Sequence, residues 1–166
     1  MLFRSGCEIT EAVPLSIAST SAIFAKPEIK LGMPPTFGGT QRLPRLAGRK
    51  RALHLLLTGD SFDAETAKAL GLINEIVSPD ELIPAAMALA RRILTHNLSA
   101  IAAILHATTR GLNMTIAEGL LVEAEQFAKL VPTRELQDAL AAWLARPRAC
   151  CPSPRPSPRK SGAREL

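Results

Sequence analysis

The sequence has 166 residues, of which 47% are apolar and only 4% aromatic. This length and this apolar content suffice for a folded domain with its own core, and they exclude a chain that is disordered throughout. No uninterrupted apolar run approaches the roughly 18 residues of a membrane-spanning helix, so we expect no membrane span. The scarcity of aromatic residues and the abundance of alanine and leucine predict a mainly helical core.

The formal net charge of +5 is concentrated at the C-terminal end of the chain. Residues 147–166 contain five basic residues and one acid, so this segment carries +4 and the rest of the chain +1. The body of the chain has no basic stripe that could follow a phosphate backbone, and we expect no nucleic-acid partner. The three cysteines have no metal-like spacing, which predicts a reduced, cytoplasmic protein without a metal site: Cys7, Cys150 and Cys151.

Glycine and capping residues divide the first half of the chain into short elements. Thr40 is predicted to cap a helix that ends near Gly48, and a second helix from Arg51 to Leu57 is expected to stop at Gly59. Asp63 is predicted to cap a third helix over residues 64–70. The β-branched run from Leu72 to Val77 favours a short strand.

Four longer helices are predicted in the second half of the chain. Capping boxes at residues 78–81 and 115–118 should open helices to about Thr95 and to Leu130. A helix from about Ser99 to Arg110 lies between these two, and a last helix is expected over residues 133–144. Four helices in series need a surface to cover their apolar faces, which indicates oligomerisation or a missing part of the core.

Prolines alternate with serine and arginine in the segment 147–166. Because proline at every second position prevents both helix and sheet, we expect this tail to be disordered or to adopt polyproline II. Such a segment is also a possible ligand for grooves that bind polyproline II.

Glu8 and Glu28 are the candidate catalytic residues. Two carboxylates in one cleft can divide the acid and base roles between them, whereas most glutamates are solvated surface residues. The sequence around and after Glu28 contains four motifs in order: PEIKLG, GGTQRLPRL, LLLTGD and AKALGL, all within residues 25–72. In these motifs the chain resembles the enoyl-CoA hydratase/isomerase, or crotonase, family.

This resemblance implies an α/β crotonase-like fold, the ClpP/crotonase spiral, that is mostly helical in this chain with a few short strands. The family pattern is entered near its middle, so we expect the C-terminal portion of a member that lacks the N-terminal portion. The implied organisation is a partial core over residues 1–96, a C-terminal helical trimerisation region over residues 97–146, and the tail over residues 147–166.

The resemblance also implies an activity, the addition of water to the double bond of a trans-2-enoyl-CoA thioester. It assigns water activation mainly to Glu8, proton donation at the α-carbon mainly to Glu28, and an oxyanion-holding backbone N–H to Ser5, where the family has glycine. Trp143 and Arg146 match positions that contact the CoA of a neighbouring subunit, although a core-facing tryptophan and a helix-ending arginine explain them equally well. No cofactor is implied, because coenzyme A is part of the substrate, and the expected assembly is a homo-trimer or hexamer.

Three functions remain open on the sequence alone. An enoyl-CoA hydratase is favoured over an isomerase, because the isomerase branch keeps only the second carboxylate. A non-catalytic crotonase remnant that acts only in oligomer assembly is the second reading, and an interaction protein that uses its proline-rich tail is the third.

Overall fold

The structure, a computed structural model, describes residues 5–146 of the chain. The predicted tail over residues 147–166, with Cys150 and Cys151, lies outside the described residues. The helices are α1 (Ser5–Ala12), α2 (Gly39–Ala47), α3 (Arg49–Thr58), α4 (Ala64–Ala69), α5 (Leu82–Leu94), α6 (Leu98–Gly111), α7 (Ile116–Leu130) and α8 (Arg134–Leu144). The strands are β1 (Ile17–Ser19), β2 (Ile23–Ala25), β3 (Ser61–Asp63) and β4 (Glu75–Val77), and short 3₁₀ helices cover Pro27–Leu31 and Pro79–Glu81. A mostly helical chain with a few short strands is therefore confirmed.

The strands form two small sheets that tie distant parts of the chain together. β1 pairs with β4 in parallel, and β2 pairs with β3 in antiparallel. Phe24 and Phe62 are direct cross-strand partners in the second sheet, and their ring centroids lie 5.7 Å apart in a stacked arrangement. This contact connects the segment that precedes Glu28 to the segment between α3 and α4, and so fixes both against the core.

The helices α2 to α4 supply half of the residues in the apolar core. α3 buries Ala52, Leu55 and Leu56 and ends at Gly59, as predicted. The side chain of Asp63 accepts a hydrogen bond of 2.8 Å from the backbone N–H of Thr66, which confirms the predicted cap of α4. The predicted cap of α2 was wrong, because Thr40 lies inside the helix and Gly38 is the N-cap residue with a φ of 95°.

The four C-terminal helices differ from the rest because no residue of α5, α6, α7 or α8 is buried. The capping box of α7 is present, with Thr115 and Glu118 each bonding the other's backbone N–H. The capping box predicted at Ser78 is absent, because Pro79 begins a 3₁₀ helix and the Ser78 side chain makes no capping hydrogen bond. α6 and α7 pack closely where Gly111 meets Gly119, since a Cβ on either glycine would lie within 3.5 Å of the other's Cα. Within residues 5–146, none of the helices has the length and apolar character needed to cross a membrane.

Candidate active site

Helix α1 buries three side chains that carry chemistry. Cys7 is fully buried, and Glu8 and Glu11 retain only 3% and 8% of their exposure. Cys7 and Glu11 lie four residues apart, so their side chains meet on one face of the helix, with Sγ 3.8 Å from Glu11 Oε1. α1 packs against α2, and this contact covers the buried face. The first helix therefore places two carboxylates in the interior of the protein.

Lys26 lies opposite these two carboxylates, directly after β2, and is fully buried. Its Nζ forms an ion pair of 2.7 Å with Glu11 Oε1, and both side chains have no exposed surface. The same ammonium lies 3.8 Å from Glu8 Oε1. One buried cation is thus shared by two buried anions, with the closer contact to Glu11.

Gly39, the first residue of α2, completes the contacts of Glu8. Its backbone N–H donates a hydrogen bond of 3.3 Å to Glu8 Oε1, and this N–H lies in the first turn of the helix, where no intrahelical acceptor exists. A Cβ at position 39 would lie 2.8 Å from Glu8 Oε1 and 2.8 Å from Lys26 Nζ. A side chain at position 39 would therefore displace the ends of the Glu8 and Lys26 side chains.

Glu28 lies in the 3₁₀ helix Pro27–Leu31, which follows Lys26 directly and packs against α3. Its side chain retains 4% of its exposure. Proline at the first position of the 3₁₀ helix suits a turn whose first N–H has no acceptor, and Gly32 ends the turn in the left-handed conformation with a φ of 74°. Both predicted carboxylates are therefore buried. Lys26 lies 3.8 Å from Glu8 Oε1 and precedes Glu28 by two residues in the chain.

A cavity of about 240 Å³ opens beside Glu8. Glu8 lines it together with mainly apolar neighbours and one arginine: Ile9, Ala12, Phe37 and Arg42. The Arg42 guanidinium donates a hydrogen bond of 2.7 Å to the carbonyl of Phe37, which holds the loop before α2 in place. An ionisable carboxylate at the edge of an apolar cavity is the arrangement expected for a group that acts on a bound small molecule.

Burial changes the acid–base properties of the groups around Lys26. Removal from water raises the pKa of Glu11 above its ordinary value, and the neighbouring Lys26 ammonium opposes this effect without cancelling it. Burial also raises the pKa of Cys7 to about 12, so this thiol stays protonated at neutral pH and is no nucleophile.

Three predicted site residues remain: Ser5, Trp143 and Arg146. Ser5 is the first described residue of α1, three positions before Glu8. Trp143 is 65% exposed near the end of α8, and Arg146 follows that helix and is also exposed. The contacts around Glu8 include neither of these two residues. A core-facing Trp143, the alternative left open by the sequence, is wrong.

Glu11 and Lys26 are the site residues that the sequence reasoning missed. Glu11 follows Glu8 by three positions in the same helix, and Lys26 directly precedes the PEIKLG motif. Each is a charged residue close in sequence to a candidate catalytic glutamate, and that proximity was the available signal. Their pairing brings the residue that follows β2 to α1, a contact between distant parts of the chain that local patterns do not encode.

Comparison with known proteins identifies the family. The enoyl-CoA hydratase/isomerase family matches residues 2–149. A probable enoyl-CoA hydratase of Rhizobium meliloti is 39% identical over 144 residues, which are 87% of this chain and 56% of that protein. A crotonyl-CoA hydratase of Syntrophomonas wolfei is 37% identical over 144 residues, 87% of this chain and 55% of that protein.

The fold leads to the same family. The crystal structure of an enoyl-CoA hydratase from Bacillus anthracis matches with a TM-score of 0.81 at 31% identity, covering 86% of this chain and 55% of that one. The chain thus has the fold of part of a crotonase, and it spans about half the length of the curated relatives that it matches. The protein belongs to the enoyl-CoA hydratase/isomerase family.

Proposed function

We propose that this protein is an enoyl-CoA hydratase-type lyase that adds water to trans-2-enoyl-CoA thioesters in acyl-CoA metabolism. The observation that carries the proposal is the burial of both glutamates, Glu8 and Glu28, with Glu8 beside a cavity and a glycine N–H. Relatives that match most of this chain are named as hydratases, which supports hydration as the reaction. The substrate partner is an acyl-CoA thioester, and coenzyme A enters only as part of it.

The proposed reaction uses the two carboxylates on one water molecule. Glu8 accepts a proton from the water as the water oxygen forms a bond to the β-carbon. Glu28 delivers a proton to the α-carbon. Between the attack on the β-carbon and the protonation of the α-carbon, the π electrons of the double bond move toward the thioester carbonyl. Negative charge therefore develops on the carbonyl oxygen. The net change is the addition of H and OH across the double bond.

The developing charge on the thioester oxygen needs a backbone donor. Ser5 is assigned to this task by its position three residues before Glu8, at the described start of α1. A backbone N–H that is held in place beside the developing charge can stabilise it. A backbone donor keeps its function when serine replaces glycine, provided that the backbone conformation is kept.

Hydration is tested with crotonyl-CoA, whose conjugated double bond absorbs light that the hydrated product does not. We expect the wild-type chain to remove this absorbance and Glu28→Gln to lower kcat by about 10²-fold or more, the usual size of an acid–base contribution. Glu65→Gln is the matched control, because Glu65 is an exposed glutamate on α4. A wild-type rate that Glu28→Gln leaves unchanged would overturn the proposal.

An enoyl-CoA isomerase is the second enzymatic candidate. Glu8 distinguishes the two, because a double-bond shift within the family needs only the second carboxylate. Hydration therefore predicts a large loss in Glu8→Gln, whereas isomerisation of a 3-enoyl-CoA would survive that change.

A non-catalytic role in assembly is the third candidate, and one observation favours it. The C-terminal helices expose large apolar side chains, such as Ile116 at 81%, Leu121 at 71% and Leu144 at 71%. We propose that the helical region over residues 97–146 covers these faces in a homo-trimer or hexamer, and that Trp143 and Arg146 contact CoA of a neighbouring subunit there. Light scattering after size exclusion tests this assembly, and a monomer at micromolar concentration would contradict it.

A cytoplasmic location completes the proposal. It rests on Cys7, which is buried and is a free cysteine among residues 5–146.

A further inference from the structure

The Lys26–Glu11 ion pair lies in the interior, next to Glu8, and the hydration reaction as written above does not use it. Taking two charges out of water is costly, and a buried pair recovers this cost only with good geometry and further polar contacts. Both side chains are fully buried, and Lys26 Nζ lies 2.7 Å from Glu11 Oε1. Such a pair calls for an explanation other than stability, because apolar residues of similar volume serve stability at least as well.

The two carboxylate oxygens of Glu8 are treated differently by their surroundings. Oε1 receives the Gly39 N–H at 3.3 Å and faces the Lys26 ammonium at 3.8 Å. Oε2 is buried and has no hydrogen-bond partner among residues 5–146. One oxygen is thus anchored and the other is not, a state that Oε2 of Glu11 shares among the described residues. Of these two residues only Glu8 lines the cavity, so its Oε2 is the one that we assign to a bound molecule.

Lys26 and Glu11 themselves are not placed to touch a substrate. The cavity is lined by Glu8 and its apolar neighbours together with Arg42, and neither Lys26 nor Glu11 belongs to its lining. Glu11 Oε1 is occupied by Lys26 and lies 3.8 Å from the Cys7 thiol. Lys26 Nζ and Glu11 Oε1 are engaged with each other, and the ammonium lies 3.8 Å from Glu8 Oε1. We therefore expect this pair to act on the reaction through Glu8.

We propose that Lys26 and Glu11 are positioning residues for Glu8: the ammonium anchors Oε1, Glu11 holds the ammonium in place, and Oε2 is thereby directed to the reacting water. This assignment rests on the proposed hydratase function. It also explains the close approach at Gly39, because a Cβ there would displace both the carboxylate and the ammonium that anchors it.

The experiment uses the double variant Glu11→Gln/Lys26→Met, which removes both charges at nearly constant volume. Replacing a complete buried pair by neutral residues usually leaves stability unchanged or improved, so this variant is expected to fold. The matched control is Glu65→Gln/Lys68→Met, an exposed glutamate and lysine on α4. In the crotonyl-CoA assay we expect the double variant to lose kcat by about 10²-fold, the typical effect of a misplaced catalytic group, with KM nearly unchanged and the control at the wild-type rate.

A second readout does not need activity. The Gly39 N–H donates to Glu8 Oε1, so its hydrogen exchange reports whether that carboxylate stays in place. We expect exchange at Gly39 to be about tenfold faster in the double variant, with amides in the middle of α3 unchanged. If the wild-type chain hydrates nothing, faster exchange in the double variant would support the positioning role while removing the proposed function.

A folded double variant that keeps both the wild-type kcat and the slow exchange of Gly39 overturns the inference and leaves the hydratase intact. Should the double variant fail to fold, Glu11→Gln alone provides the test. Its amide oxygen holds the ammonium without the assistance of a charge, so we expect kcat to fall by up to about tenfold and exchange at Gly39 to become faster than in wild type. Wild-type kcat together with wild-type exchange at Gly39 in this folded variant would contradict the role given to Glu11.

Discussion

The two halves of the described chain differ in how much of their apolar surface they bury. Every buried apolar residue among residues 5–146 lies between Cys7 and Ile73, where α1 to α4 and the two small sheets enclose a core. The four helices from Leu82 to Leu144 bury no residue at all. The first region can therefore hold a site in place by itself, whereas the second region is an apolar surface in need of a partner.

The contrast also concerns polar groups. The first region buries three glutamates and a lysine, and the contacts of Lys26 and Gly39 hold Glu8 and Glu11 in place. The ion pairs of the second region are exposed, as in the pair of Lys129 with Glu125 at 2.7 Å. Exposed pairs of this kind contribute little to stability, whereas buried charges restrict the structure around them.

The largest expected difference between the regions is in the response to a leucine-to-alanine change. Leu43 on α2 has no exposed surface, and Leu121 on α7 is 71% exposed. Leu43→Ala should lower the free energy of unfolding by about 2–5 kcal/mol, the usual cost of a cavity in a core. Leu121→Ala should change it by less than about 0.5 kcal/mol in the monomer. Urea unfolding at low protein concentration measures both.

The two leucine variants also distinguish burial within one chain from burial between chains. If α7 is covered in an oligomer, Leu121→Ala should weaken self-association, measured by light scattering. Leu43→Ala should leave unchanged the protein concentration at which half of the folded molecules are associated. Equal losses of stability in both variants at concentrations where the chain is monomeric would refute the contrast drawn between the regions.

A smaller effect is expected at Gly39. The Cβ of Gly39→Ala would lie 2.8 Å from both Glu8 Oε1 and Lys26 Nζ, so one or both must move. Such overpacking costs roughly 1–3 kcal/mol, and we expect kcat for crotonyl-CoA to fall with it because Glu8 loses its place.

Gly48→Ala provides the control for this change. Gly48 has a φ of 80°, and a Cβ there would meet no atom within 4 Å. With a ψ of 150° this backbone conformation is essentially reserved for glycine, so the substitution should cost about 1–3 kcal/mol through backbone strain alone and leave kcat unchanged. A Gly39→Ala variant with normal kcat would show that Glu8 tolerates displacement.

The smallest expected effect is a pH dependence in the second region. Hydrogen bonds from the backbone and side chain of Thr115 hold the pKa of Glu118 below its ordinary value of 4.5. Because the folded-state pKa is lowered, this contribution to stability is present above pH 4.5 and is lost as the pH falls through the folded-state pKa. The stability difference between wild type and Glu118→Gln should therefore shrink on acidification, measured by thermal unfolding at several pH values.

The parts of the fold that were predictable from the sequence depend on short-range contacts. Gly59 ends α3, Asp63 caps α4, and Thr115 with Glu118 opens α7, and each of these involves residues within a few positions of one another. The predictions failed at Ser78 and Thr40, where an adjacent Pro79 and a nearby left-handed Gly38 changed the local backbone. Neighbouring proline and glycine outweigh the preference of a capping side chain.

The candidate site was predictable only as far as its motifs. Glu28 lies in PEIKLG, a motif that predicts a carboxylate at a reacting centre, and its side chain is buried. The Lys26–Glu11 contact joins the end of β2 to α1, and the hydrogen bond from Gly39 to Glu8 joins α2 to α1. Contacts of this kind follow from how elements pack, and a single sequence carries no direct signal for them.

The most direct test of the central claim is the crotonyl-CoA assay on three variants: Glu8→Gln, Glu28→Gln and the combined variant Glu8→Gln/Glu28→Gln, which is the double variant in this test. Two carboxylates that act on one water form a unit, and the effects of residues in a unit are far from additive. We therefore expect the double variant to be about as slow as the slower single variant. A double variant in which the two losses multiply would show that Glu8 and Glu28 act independently, and would contradict this account.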